Sequence, residues 1–380
     1  MIRSLKSFLS HSDSRSVGLI FLASSLILGA WVTRLPEVKA RLGLSEGELG
    51  FALFFMPLGA VVLLPFISNI IQKLGEKRAT QIGLAFLLLT VPLPTIAPDY
   101  TTLLLSLFGM GLGISLCDVS MNAVAAAIEN QTDRKIMATC HGFFSIGGMI
   151  GAATASLFFL FEINPFQHLV FWSLVLLLVA FLFAQDLILS DKTEGSSKVF
   201  QLPPKSVALL AVIGLCIMLS EGAITDWSTI YMRDNLLADE TIAGLGFAGF
   251  SGLMALGRFM GDALILRHGN FKLMIAGCVL AICGLLLTLS GGIALSIAGF
   301  SLAGLGYAVL VPILFSESSR TPGVKPAVGI ASVASMGYTG MLIGPVAIGF
   351  IAEEFGLSMG FLFLAILTTI ALLLSIRIRS

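Results

Sequence analysis

"LSDKTEGSSKVFQLPPKS", Leu189 to Ser206, interrupts an otherwise apolar chain with charges, serines, a glycine and a Pro-Pro pair. That composition reads as a linker rather than a regular element. Outward from it, six long apolar runs lie on each side. Before it come 17–33, 48–72, 79–97, 102–126, 137–160 and 167–188; after it come 206–231, 241–265, 271–290, 293–315, 327–351 and 358–376. Each is close to the ~20 residues that carry a helix across a hydrocarbon core of ~30 Å. Lipid offers the backbone no hydrogen bonds, so continuous runs of this length are expected as helices. The expected fold is an all-α membrane protein with twelve transmembrane helices. Residues 1–189 and 206–380 form two six-helix halves, joined by a cytoplasmic linker at 190–205.

Composition agrees. Of 380 residues, 57% are hydrophobic and 12% charged, against about 25% charged in soluble domains, and mean hydropathy is +0.98. Net charge is zero, so no basic face invites nucleic acid. The five cysteines (117, 140, 216, 278, 283) sit inside apolar runs with neither metal-ligand spacing nor a disulfide pattern. No cofactor motif and no catalytic constellation stands out, which argues against an enzyme. "GMGLG" follows no strand and reads as helix packing.

Charge placement sets the orientation. Arg3, Lys6 and Arg15 precede the first run, which Arg34 to Glu37 then closes with no small-residue cleavage site, so it is read as a retained helix. With both termini inside, 18 of the 22 Lys and Arg residues face the cytoplasm and four (Arg34, Lys39, Arg41, Arg233) face out. This is the positive-inside bias, expected for a multi-pass protein of the bacterial cytoplasmic (inner) membrane.

The halves echo each other. "LGFA" recurs at 49–52 and 245–248; Trp31 and Trp227 each lie 19 residues before its glycine. "GLG" at 111–113 and 304–306 marks the fourth run of each half, and "MIGA" and "LIGP" the fifth. Parallel six-helix repeats are a transporter architecture. Ser45 to Glu48 reads as a capping box before the second run, and Asp239 as a cap before the eighth.

The fourth run carries Asp118 and, one turn later, Asn122. An isolated charge at mid-membrane costs about 2.5–3.5 kcal/mol, so such residues mark function by default. At about 1.5 Å per residue, Asp118 lies roughly 6 Å below the middle of its run, Asn122 about 12 Å, and His141 on the fifth run about 10 Å. The three are expected at similar depth, as a substrate or proton site. Glu221 sits near the centre of the seventh run; Asp226 and Trp227 lie further out, matched by Trp31, Arg34 and Glu37 on the first. A salt bridge from Arg34 to Asp226 or Glu221 is expected as an outer gate. Tyr307, Ser335 and Tyr338 are candidate hydrogen-bonding and stacking groups from the second half.

Twelve helices in two halves with "GRFMGDALILRHGNFK" (257–272) between the eighth and ninth resemble the major facilitator superfamily. The resemblance implies a cytoplasmic latch in which Asp262, flanked by Arg258 and Arg267, faces the start of the eleventh helix. The first-half copy, "SNIIQKLGEKR", lacks the aspartate. "CDVSMN" followed by "CHGFFSIGGMIG" is similar to the fucose–proton symporter group, and the whole pattern to a bacterial branch of YbjJ-like inner-membrane proteins. That resemblance implies proton-coupled symport of a small polar, sugar-like solute by a monomer, with no cofactor, its partners being substrate, proton and bilayer. The fucose group has an aspartate in helix one, where this chain has "GAWVTRLPE". The alternative is proton-driven efflux of lipophilic, drug-like compounds. Drug antiporters have an arginine where this chain has Leu107 and a Gly-Pro pair where it reads "GGMIGA".

Overall fold

The computed structural model describes residues 8–132, 134–183 and 203–378, with the side chains of 181–183, 262, 327 and 378 outside that description. The linker at 190–205 therefore lies almost wholly outside the described residues. Those residues form helices: α1 (Ser12–Val32), α2 (Leu35–Leu42), α3 (Glu46–Leu74), α4 (Glu76–Thr90), α5 (Tyr100–Thr132), α6 (Met137–Leu160) and α7 (Pro165–Phe183), then α8 (Lys205–Ile230), α9 (Glu240–Ala243), α10 (Leu245–His268), α11 (Asn270–Leu289), α12 (Ile293–Tyr307), α13 (Leu310–Ser319), α14 (Pro326–Phe355) and α15 (Leu357–Ile378). A 3-10 turn at Leu93–Ile96 follows α4, and a π turn at Tyr231–Asn235 extends α8.

Eleven helical stretches among the described residues are long and apolar enough to cross a membrane, and Pro165–Ala180 is a shorter apolar helix. That shorter helix is the run expected at 167–188, whose last residues are not described. Large apolar side chains such as Phe66, Leu105, Phe161, Leu174 and Leu373 stand on the outside. Water would penalise that arrangement; acyl chains do not.

Two departures from the expected runs have local causes. The tenth run is broken between Tyr307 and Leu310. Pro312 has no N–H to give the Ala308 carbonyl and its ring crowds that group, which weakens the helix at this point; Pro57, Pro65 and Pro345 lie inside unbroken helices. The capping box at Ser45 is formed, Ser45 N–H donating to Glu48 (2.9 Å) and Glu48 N–H to Ser45 Oγ (3.2 Å). Asp239 caps the one-turn α9 rather than the long helix behind it.

The chain falls into two compact units, Met1–Gly43 with Phe55–Ser196, and Leu44–Phe54 with Ser197–Ser380. In the first, α1 lies against α6 so closely that a Cβ on Gly29 would stand 2.3 Å from the Gly148 carbonyl oxygen. Small residues at such crossings let backbones approach, which is how helices associate where no hydrophobic effect acts between them. Ser173 on α7 donates to the Leu88 carbonyl at 2.7 Å, fastening α7 to α4. In the second unit α8 packs along α14, and α11 along α12. The start of α3 joins this unit because Gly50 meets α14 backbone to backbone: a Cβ there would lie 2.5 Å from the Pro345 carbonyl oxygen.

Candidate functional site

In the first unit, the long α5 carries Asp118 and Asn122, both half-buried. The Asn122 amide donates to the Asp118 carboxylate (3.2 Å) and to its backbone carbonyl (2.9 Å). This is the one-turn pair expected from spacing. Ser24 of α1 donates to the Met121 sulfur at 3.7 Å, bringing α1 to the same level. His141 on α6 is half-buried, its ring edge-on to Phe21 of α1 with centroids 5.4 Å apart. The amide engages one carboxylate oxygen and leaves the second for a polar ligand's hydroxyl.

At the other end of α1, Trp31 is buried and its indole N–H has no partner among the described residues. Arg34, 1% exposed, occupies the turn into α2. Its Nε donates to His168 Nδ1 at 3.0 Å, one terminal nitrogen to Glu37 at 2.8 Å and the other to the Ile163 carbonyl at 3.1 Å. The guanidinium also lies 3.9 Å from the centroid of the Phe159 ring, a cation–π contact. His168 is fully buried and stacked on Phe158 at 4.0 Å. These groups, all in its own unit, hold the Arg34 guanidinium, and Glu221 pairs with Arg258 in the other unit. His168 was not selected from sequence, since a contact 134 residues away leaves no spacing signal. A second ion pair missed in sequence joins Arg134, before α6, to Asp13 and Ser14 at the start of α1.

In the second unit, Glu221 on α8 accepts from Arg258 of α10 at 3.2 Å, both partly exposed. Arg258, expected at the latch, thus reaches the mid-helix acid, because its long stem spans from one packed helix to the next. Arg267 is exposed at the end of α10, and the side chain of Asp262 lies outside the described residues. Asp226 is 6% exposed and has no hydrogen-bond or ionic partner among the described residues. Trp227 is fully buried with an unpartnered indole N–H, the repeat equivalent of Trp31. Tyr307 is buried, its hydroxyl 2.5 Å from that of Thr368 on α15. Ser335 is buried and donates to Ala331 of its own helix at 2.7 Å, a packing bond; Tyr338 is half-buried. Among the described residues no group of three His, Cys, Asp or Glu side chains is placed to hold a metal ion. Cys117, Cys140, Cys216 and Cys278 are buried and free, and Cys283 is exposed.

Two helical units with paired acids, amides and cations inside apolar spans are the build of a multi-pass membrane transporter. A family model described as Major Facilitator Superfamily matches residues 16–209 and 209–380. The chain belongs to the Major Facilitator Superfamily. It is 30% identical over 352 residues to an uncharacterized MFS-type transporter of Yersinia pestis, covering 92% of this chain and 91% of that protein. It is 31% identical over 355 residues to membrane protein MosC of Rhizobium meliloti, covering 92% and 86%. Among solved structures it is similar in fold to a variant of the nucleoside transporter NupG (TM-score 0.77, 12% identity, 95% of this chain and 98% of that one). It is likewise similar to a bacterial homologue of the lysosomal transporter Spinster in an inward-facing, occupied conformation (TM-score 0.71, 12% identity, 95% of each).

Proposed function

We propose that this transporter is a secondary active symporter that moves a small polar, sugar-like solute with protons across the bacterial cytoplasmic membrane. It acts as a monomer of two six-helix halves, 1–189 and 206–380, which rock about the site so that it opens to one side at a time. Twelve spans place both termini in the cytoplasm, and the chain stands with the YbjJ-like branch, related to the fucose–proton symporters. The observation that carries this reading is the Asp118–Asn122 bond inside an apolar helix. Packing alone does not require an acid there, and an acid beside an amide suits the hydroxyls of a polyol or sugar. His141 in the first unit, and Tyr338 and Glu221 in the second, are the further half-buried polar groups; Trp31, Trp227, Tyr307 and Ser335 are buried in this conformation and would meet solute only after a rearrangement. Arg34 with Glu37, and Arg258, Asp262 and Arg267, serve the gates.

The test is uptake of radiolabelled sugars and sugar acids by the purified protein in vesicles with an imposed pH gradient. Accumulation should collapse when a protonophore is added. Asp118→Asn should lose accumulation and exchange alike, the carboxylate's contact with the solute being gone. Full accumulation by that variant would remove the role given to Asp118; transport of lipophilic cations alone would replace symport with efflux.

A further inference from the structure

Of the acids within the candidate spans, Asp118, Glu221 and Asp226 stand well away from the span ends. Asp118 has Asn122, and Glu221 has Arg258. Asp226 has neither a donor nor a cation among the described residues, although it is 6% exposed. Its neighbours in sequence repeat the anomaly: the indole N–H of Trp227 and the hydroxyls of Ser228 and Thr229 are buried without partners among the described residues. Thr229 lies three residues on, sharing the Asp226 face of the helix.

Among the described side chains, which do not include Asp262 of α10, the charged and titratable groups on elements packed against α8 are engaged elsewhere or lie toward helix ends. On α10, Arg258 holds Glu221, while Arg267 and His268 are exposed in its last turn. Arg233, in the turn after α8, holds Glu240 at 2.6 Å. Tyr231 donates to the Thr288 carbonyl at 3.4 Å, and Tyr307 meets Thr368. Glu317 of α13 accepts from Asn270 at 2.6 Å. On α14, Tyr338 is half-buried and has contacts of its own, and Glu353 and Glu354 are exposed near its end. Arg377 closes α15, and Asp234 stands in the turn beyond α8. A carboxylate in this position would be a buried charge with no compensation, and such groups neutralise by taking up a proton.

We infer that Asp226 is the proton-binding carboxyl of the second unit, carrying its proton in the conformation seen here and releasing it when a rearrangement admits water. This deepens the symport reading and rests on it. A residue 6% exposed admits a water contact but no solute, so the ligand that fits this acid is the proton itself. The work then divides: Asp118 and Asn122 face the solute, Arg258 neutralises Glu221, and Asp226 holds the proton.

The experiment is infrared difference spectroscopy of the purified, solute-free protein between neutral and strongly alkaline buffer. The expected result is a protonated-carboxyl C=O band at neutral pH that disappears on alkalinisation. The band should be lost in Asp226→Asn and retained in Asp118→Asn. Aspartate labelled with carbon-13 in the wild-type chain should shift it to lower frequency, a readout that needs no variant to fold. A band untouched by Asp226→Asn, or no label-sensitive band at neutral pH, overturns the inference. Because no solute is present, this fails independently of the uptake assay: wild-type flux indifferent to a pH gradient would remove symport, and proton coupling through Asp226 with it, while leaving the band in place.

Discussion

Arg34 shows what one buried cation can organise. Its bonds to Glu37, His168 and the Ile163 carbonyl join the α1–α2 turn to the loop before α7 and to α7 itself. Removing one member of such a cluster leaves the others desolvated, at a cost of about 3–5 kcal/mol. Arg34→Ala should fall near the lower end, because Glu37 is 23% exposed and regains some water. Arg34→Lys should recover only part, since an ammonium cannot reproduce the planar fork. Melting of the detergent-purified protein measures this. The double variant Arg34→Ala with His168→Ala should cost less than the sum of the singles, as expected of contacting residues; strict additivity would deny the coupling. Asp239 offers a pH test at the same scale. The Thr241 hydroxyl (2.6 Å) and backbone N–H (2.8 Å) donate to its carboxyl and hold it below the usual carboxylate range. Its stabilising effect is then complete above the unfolded value of about 3.9 and fades as pH falls through the lower folded value. Asp239→Ala should lower the melting temperature slightly at neutral pH, and the gap should close in strong acid; a gap that ignores pH would reject the cap. The Asp118–Asn122 bond and the Asp239 cap were legible in sequence because they are local. The Arg34–His168 bond was not, because two helices must pack before it exists.

Helices in this chain meet through missing side chains more than through interlocked large ones. Glycines at the fourth and fifth runs of each half stood out in sequence, but which backbone each would touch did not. Gly29 and Gly222 separate the cases. A Cβ on Gly29 would lie 2.3 Å from a backbone oxygen, whereas one on Gly222 would lie 3.7 Å from the Met341 Cγ. Gly29→Leu must drive α1 from α6, and because backbone cannot yield as a side chain can, the loss should exceed the ~1–3 kcal/mol usual for core overpacking. Gly222→Ala should be neutral or slightly stabilising, since alanine favours helix by about 1 kcal/mol over glycine. Monodisperse yield and melting temperature report both; equal behaviour would mean that α1 and α6 are not in backbone contact. The break at Tyr307–Leu310 lies at Pro312, but Pro57, Pro65 and Pro345 stand in unbroken helices, so a proline alone did not make it readable. The apolar run continued through it, and hydropathy has no memory of a missing N–H.

For the whole molecule, hydropathy and charge bias carry most of the architecture because lipid imposes one solution on every apolar run of sufficient length. What they leave open is parity. Eleven described stretches meet the length and composition for a span, and the run at 167–188 is described only in part, as Pro165–Ala180. If α7 crosses, twelve spans return the C-terminus to the side where the N-terminus began; if it does not, the ends lie on opposite faces. Eighteen of 22 basic residues fall inside only in the twelve-span arrangement with cytoplasmic ends, and that bias is what orients short loops during insertion. A green fluorescent protein fused after Ser380 should therefore fluoresce, and alkaline phosphatase fused there should be inactive. Phosphatase fused in the 33–45 segment should be active. A cysteine placed at Ser4 should resist a membrane-impermeant thiol reagent in intact cells and react in lysed ones. An accessible position 4 with a fluorescent C-terminal fusion would make the span number odd, and the two six-helix halves proposed as rocking units would lose their symmetry.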